Sequence, residues 1–548
     1  MSYKATLKQR LFTNTLTNYV MRFWGWITGF FLFPFIVGRL GPQAAGVWLL
    51  AGSFAAHFAF LDLGMGGSLI KHIAQYRAQR NERKINQAIT VALVIASAMG
   101  LVAATGMFIL GRFFITCFTI PPALLKEARL ITYLIGITLL FGFPAKTFAS
   151  VLRGLQRYDL TNLIGFLVSL PTIILTIVFL VMGRGIVTLV LIESLTAVCG
   201  WLLTLYYTKK LFPALRVQIS LFDKGMVKVL MGLALSLLII NICMIVIYST
   251  DRLIIGAFLP IGLIVFYEAA YKIYHFVVLA PQVLASAIIP ATSELNATND
   301  TGSIRKLFLS GTKYTTAFFL ALAVPVLILA RYILTYWMGP GFGGHYLLVV
   351  IFISHLFFSF NHIFAYYLLV GMNQIRDALW YYTGSAALNL ALSIFLVKRI
   401  GLMGVVLGTA IPYAVLEPFF VRQILRKFDV PLTRYLKNVI ARTYPQAIIP
   451  AVGLYVLCRY WSPNNLMEAG ACVGVYVLAY AAVFYVTGIE EWERKNVVGM
   501  ALSTLARLKP RPDGALNTVT NNREIRGYVS DDYNAVEKQR SGGRNIIV

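Results

Sequence analysis

The chain has 548 residues, of which 58% are hydrophobic and only 13% charged. That is far more apolar surface than a soluble core of ordinary composition holds, so the expected class is a polytopic membrane protein. The net charge of +26 would suggest nucleic acid in a soluble chain, but in a membrane protein basic residues collect in cytoplasmic loops, and no nucleic-acid partner is expected.

Met1 to Asn14 is short and basic, with Lys4, Lys8 and Arg10, which assigns the N-terminus to the cytoplasm. A helix needs about 20 apolar residues to cross a bilayer core. Such runs follow at 18–39, 45–63, 88–111, 129–151, 160–182 and 185–207. A second set lies at 230–256, 262–283, 314–337, 346–370, 378–397 and 402–424, with a further pair at 443–460 and 467–488. No small-residue cleavage site follows the first run, so it is expected to remain as a helix. The predicted fold is all-α, with about fourteen transmembrane helices. Six form an N-lobe over 1–212, six form a C-lobe over 213–430, and two more lie in 431–488. The two lobes are expected to enclose a central cavity. With this count, the loops, span ends and termini placed inside hold 35 Lys and Arg and the outer loops hold 8, which supports both the count and cytoplasmic termini.

The stretch Gly38 to Asn81 combines a glycine turn, the second apolar run, a glycine break at 64, 66 and 67, and a basic loop with Lys71, Arg77, Arg80, Arg83 and Lys84. It recurs 218 residues later: Gly38 falls on Gly256, Pro42 on Pro260, His57 on His275 and Asn81 on Asn299, among ten identities in 44 positions. Six helices separate corresponding spans, and an even number predicts a parallel repeat about an axis along the membrane normal. Two inner loops read as helices lying on the membrane surface: Ser220 to Asp223 has the spacing of a capping box, and Arg434 to Arg442 interleaves basic and apolar residues. From residue 489 the chain becomes polar, with an amphipathic stretch at 492–508 and then a cytoplasmic tail too poor in apolar residues to fold.

Ionisable side chains inside a span are costly and mark a pathway or lumen. Glu268, Lys272 and His275 are spaced i, i+4 and i+7 on one stripe of the eighth span, beside a stripe of Tyr267, Tyr271 and Tyr274. This polar and aromatic lining suits ring-shaped polar cargo; an internal ion pair that ties helices together is the alternative. The repeat register puts Asp251 and Arg252 inside the outer half of the seventh span. Arg22, Lys146 and Arg331 add positive charge to the membrane, and Asp62, Glu193 and Glu417 add negative charge. Arg22, near the inner end of its span, also fits a snorkelling side chain. Cationic groups at membrane depth pair strongly with phosphate oxygens, so the cavity suits a lipid-linked diphosphate.

The five cysteines (117, 199, 243, 458 and 472) form no CxxC pair, which points to neither a metal site nor a disulfide framework. The GMGG at 64–67 follows a membrane span and no GxxxxGK[ST] occurs, so ATP is not the expected energy source and no cofactor is implied. Coupling then falls to H+, Na+ or the cargo gradient. A membrane glycan polymerase or ligase would need a large outer loop with an acid/base pair; the largest here, 112–128, assembles none, and no enzyme is expected.

The run from Gly38 through LDLG at 61–64, STDRLIIGAFLP at 249–260, YEAAYKIY at 267–274, IIPATSEL at 288–295 and GLMGVVLGTAIPYA at 401–414 resembles the bacterial polysaccharide biosynthesis flippases of the multidrug/oligosaccharidyl-lipid/polysaccharide exporter superfamily. The resemblance spans residues 10–490, and the order and spacing of the motifs carry it. It implies a two-lobed transporter in the bacterial cytoplasmic membrane that moves undecaprenyl-diphosphate-linked sugar repeat units to the periplasmic leaflet. The implied partners are that lipid-linked glycan, membrane lipid and the polysaccharide polymerase machinery. A drug or cation antiporter of the same superfamily and a lipid II flippase are the rival functions.

Overall fold

The computed structural model describes residues 2–62, 64–359, 361–490, 493 and 494; the side chains of 2–16, 19, 22, 232–237 and 361 are not described. The chain divides into Met1–Gly488 and Ile489–Val548. The tail and all but two residues of the predicted amphipathic stretch lie outside the described residues.

The described part of Met1–Gly488 is helical, without strands. The helices are α1 Ser2–Phe58, α2 Met65–Ala78, α3 Glu82–Ile109, α4 Leu125–Gly154, α5 Tyr158–Val181, α6 Ile186–Leu211, α7 Lys224–Phe258, α8 Leu263–Ser286 and α9 Ile289–Ala297. They continue as α10 Thr301–Met338, α11 Tyr346–Ser354, α12 Leu356–Ser359, α13 Asn361–Gly371, α14 Leu379–Ile400, α15 Leu402–Lys427, α16 Leu432–Tyr435, α17 Tyr444–Tyr460 and α18 Leu466–Thr487. Among the described residues twelve helical segments are long and apolar enough to cross a membrane. The first, Phe23–Asp62, contains both of the first two predicted spans, and α17, at 17 residues, carries the thirteenth. Large apolar side chains such as Phe141, Leu195, Leu202, Leu478 and Val486 stand exposed on the helix faces. A band of this kind is stable against lipid rather than water. The protein is therefore a multi-pass membrane protein.

Three details differ from expectation. The first two spans run through a kink rather than a loop: Gly41 sits at φ 76°, where glycine meets no Cβ penalty, and Pro42 opens the next segment. The basic loop after Gly64 is itself helical, because Met65, Leu69, Ile73 and Tyr76 recur at helical spacing and bury a stripe against Met226 and Leu230 of α7. The tenth span is not one continuous helix among the described residues: it is interrupted at His355, between α11 and α12.

The caps correct two further readings. Asp223, not Ser220, caps α7, accepting the Gly225 N–H at 2.6 Å. Asn81 caps α3 by accepting from Lys84 N, and its counterpart at the start of α10 is Asp300, which accepts from Ser303 N, rather than Asn299. The two outer breaks, at Gly41 and Leu259, keep the 218-residue spacing, but the second half has one more residue by the time the inner caps are reached. Asn299 instead has φ 56° and occupies the place of Arg80, at φ 54°.

Packing brings the later helices of the chain onto α7. α14 lies along α15 and against α7, and α8 packs on α1, α10 and α11. The approach of α14 to α15 depends on Gly408, where a methyl would stand 2.6 Å from Ser393 N and 2.7 Å from its Cα. The lobes meet at the predicted outer end. Ser53 Oγ donates to the Ser249 carbonyl at 2.6 Å and the Thr119 N–H to the Gly256 carbonyl at 2.8 Å. The Trp337 indole donates to the Phe30 carbonyl at 3.1 Å and stacks on the Phe30 ring.

Candidate functional site

Asp251 and Arg252 are neighbours on α7, so their side chains diverge by about 100° and meet different helices. Asp251 is fully buried. The Tyr267 hydroxyl donates to its Oδ2 at 2.7 Å, Thr409 Oγ1 does so at 2.7 Å, and Ser393 Oγ lies 3.5 Å from Oδ1. Ser393 and Thr409 also lie 3.3 and 3.4 Å from the Val405 carbonyl oxygen. Asn389 Nδ2 donates to Thr409 Oγ1 at 2.9 Å, while its Oδ1 is buried without a hydrogen-bond donor. The result is one carboxylate, three hydroxyls, a carbonyl and an amide oxygen drawn together from α7, α8, α14 and α15. It carries a single negative charge and only oxygen donors, a set suited to a hard cation of low charge.

Arg252 turns the other way, to Glu268 on α8. Its Nε and Nη2 both lie 2.8 Å from Glu268 Oε2, and its guanidinium stands 5.5 Å from the Tyr271 ring centroid. Lys272 Nζ is 3.9 Å from Glu268 Oε1. The expected i, i+4 pair is therefore present but secondary: Glu268 belongs first to Arg252, whose planar fork makes the shorter contacts. Lys272, with 28% of its side chain exposed, reaches across the lobe boundary to sit 5.0 Å from the Phe33 ring centroid on α1.

The tyrosine stripe does not lie open to cargo. Tyr267 and Tyr274 are buried, and the Tyr267 hydroxyl is occupied by Asp251. Tyr271, Tyr274 and His275 line a cavity of about 130 Å³ inside the C-lobe, together with Tyr248, His355, His362 and Tyr413. His57, the repeat partner of His275, does something different: its Nδ1 faces the Ser53 carbonyl at 2.7 Å and so carries the proton, which leaves Nε2 to accept the Thr250 hydroxyl at 3.0 Å across the lobes.

The remaining candidates lie apart from this cluster. Lys146 is exposed on α4 over the Phe143 ring. Glu193 is exposed on α6, within reach of the Trp48 indole. The side chain of Arg22 lies outside the described residues. A groove of about 700 Å³ runs between α1 and α8, lined by Phe23, Trp24, Trp26, Phe276, Leu279 and Val283. Phe276 stacks on Trp26 at 4.4 Å and stands one helical turn from Lys272.

The structure resembles solved transporters. The lipid II flippase MurJ, in an inward closed conformation, superposes with a TM-score of 0.67 at 14% identity, over 86% of this chain and 99% of that one. The chain has the fold of the MATE and MurJ transporters. An inward-facing multidrug resistance MATE family transporter of the MOP superfamily gives 0.62 at 16% identity, over 73% of this chain and 94% of the other. An outward-facing one gives 0.50 at 17% identity, over 77% and 93%. Residues 24–178 match the MatE family model. No curated protein matches the sequence.

Within this MATE- and MurJ-like fold, the residues that complete the site are ones the spacing of charges did not single out. Asn389, Ser393 and Thr409 are small neutral residues common in any helix, and Phe33 is one apolar residue among many. The available signal was the glycine-rich run at 401–408, which marks where two backbones approach closely enough for such short side chains to reach a buried acid.

Proposed function

We propose that the protein is a flippase that carries a polyprenyl-diphosphate-linked oligosaccharide, of the undecaprenyl-diphosphate class, from the cytoplasmic to the periplasmic leaflet of the bacterial inner membrane. In this reading both termini are cytoplasmic and transport proceeds by alternating access. The observation that carries it is the apolar groove between α1 and α8, with Lys272 one helical turn from its lining residue Phe276 and over the Phe33 ring of α1. The groove takes the polyprenyl chain while the ammonium meets the diphosphate, whose oxygens pair strongly with a cation outside bulk water. Arg252, fixed by Glu268, adds a positive field behind Lys272.

The oxygen set around Asp251 serves as the coupling site, occupied by Na+ or by a proton on the carboxylate. Ligand binding to the folded state alone stabilises it by about 2.7 kcal/mol at a hundredfold excess over Kd. Raising Na+ at constant ionic strength should therefore raise the unfolding midpoint of the purified protein, and Asp251→Asn should remove that rise because the amide lacks the charge. No Na+ response in the wild type, with transport driven by a pH gradient instead, would assign the site to the proton.

Lipid extraction from a strain lacking the protein tests the cargo. The expected result is accumulation of a polyprenyl-diphosphate oligosaccharide, cleared when the protein is restored. Unchanged lipid intermediates together with increased sensitivity to cationic drugs would favour the antiporter function, which the MatE match over 24–178 supports. Accumulation of a peptidoglycan precursor would favour the lipid II alternative.

A further inference from the structure

A second titratable group lies deep in the C-lobe, away from Asp251. Glu417 on α15 is buried, with only 2% of its side chain exposed, and His362 on α13 stands with Nδ1 3.3 Å from Glu417 Oε2. The Tyr381 hydroxyl on α14 donates to the same oxygen at 2.7 Å. The other carboxylate oxygen, Oε1, is buried and accepts no hydrogen bond. His362 Nδ1 also faces the carbonyl of Ser359 on α12. A carbonyl cannot donate, so Nδ1 must carry hydrogen, and any further proton on the imidazole goes to Nε2. With Glu417 ionised and the imidazole neutral, the pair holds a net charge of −1 in the interior; one added proton cancels it.

Access exists from both sides. Glu417 lines a cavity of about 760 Å³ together with Arg422, Arg426, Asp429 and Tyr435. His362 lines the 130 Å³ aromatic cavity, whose far wall includes Tyr271, the ring under Arg252. The pair thus bridges an open pocket and the interior that borders the charge network. His362 lies seven residues past the interruption of the tenth span at His355.

We propose that His362 and Glu417 form a proton-binding site, and that the bound proton ties α13 to α15. The proton enters from the larger cavity and resides on Nε2, giving an imidazolium beside a carboxylate. When it leaves, the Nδ1–H bond to Ser359 remains but the attraction between the two helices is lost. The other titratable groups around the pair are neutral at physiological pH or more distant. Tyr413 stacks on His362 at 5.7 Å and on His355 at 5.6 Å. Tyr381 and Tyr382 face it from α14, Tyr248 reaches Tyr413 from α7, and Tyr435 and Tyr444 approach from α16 and α17. Arg422 and Arg426 are exposed at the pocket mouth, where solvent screens them.

The test uses the full-length protein in detergent and does not depend on cargo, so it stands or falls separately from the flippase proposal. The unfolding midpoint is followed from pH 5 to 9 for the wild type, Glu417→Gln, His362→Gln and Tyr381→Phe. The imidazolium–carboxylate pair exists only while the proton is bound. The margin of the wild type over either charge variant should therefore be largest at the acid end and shrink as pH rises, by the equivalent of about one proton. Tyr381→Phe, which removes a hydrogen bond and no charge, should shift the curve without changing its slope. Deuterium uptake across 355–362 in the wild type, corrected for intrinsic exchange, should increase over the same pH range. Parallel pH profiles in all four proteins, or uptake that does not change with pH, would overturn the proposal; the wild-type exchange measurement decides the matter even if a variant fails to fold.

Discussion

Lys272→Ala should reduce transport by more than about tenfold, the loss of one charge-assisted contact to phosphate, while folded protein stays near the wild-type amount. The expectation of normal folding comes from the contacts of Glu268. Its Oε2 keeps the two 2.8 Å contacts from Arg252 when the lysine is removed, so no buried charge is left alone. The Lys272 contact itself, at 3.9 Å and on a partly exposed side chain, has the geometry of a helix-surface pair, which stabilises by about 0.2 to 0.5 kcal/mol. Lys272→Arg should keep part of the activity, because the charge survives while its geometry at the phosphate changes. The measurement is transport per mole of folded protein in membranes. Wild-type transport by Lys272→Ala, or a parallel fall in folded protein, would show that Lys272 is a packing residue.

Arg252→Ala should do the opposite and act chiefly on folding. It leaves Glu268 buried with only the distant ammonium as partner, and breaking a buried pair costs about 3 to 5 kcal/mol. Removing both charges, in Arg252→Ala with Glu268→Ala, should recover most of that loss, since the desolvation cost of the carboxylate goes with it. Thermal unfolding of the single and double variants measures the coupling. If the double variant is no more stable than Arg252→Ala, Arg252 stabilises through its packing on Tyr271 and not through Glu268.

The contrast between these two cations is what the spacing of charges left open. Position along α8 places Glu268, Lys272 and His275 on one stripe, and that much holds. Spacing within one helix says nothing about a competitor on another helix, and Arg252 is that competitor. The tyrosine stripe shows the same limit: Tyr267, Tyr271 and Tyr274 do line one side of α8, but which side becomes cavity depends on where α7, α11 and α15 pack. Glu417 and His362 are 55 residues apart in the chain and meet only because α13 packs on α15.

Hydropathy and charge by themselves determined that this chain crosses a membrane many times, where its spans lie, and that the outer turn near Gly41 returns near Leu259. These properties are written locally, because the bilayer requires about 20 apolar residues per crossing whatever the neighbours are. The tertiary structure alone decided which buried charge owns which partner, that Asp251 collects neutral oxygens from α14 and α15, and that the tenth span is divided. Those outcomes depend on interhelical distances of 3 to 4 Å, and such distances are set by small residues such as Gly408 at crossings that no stretch of sequence contains.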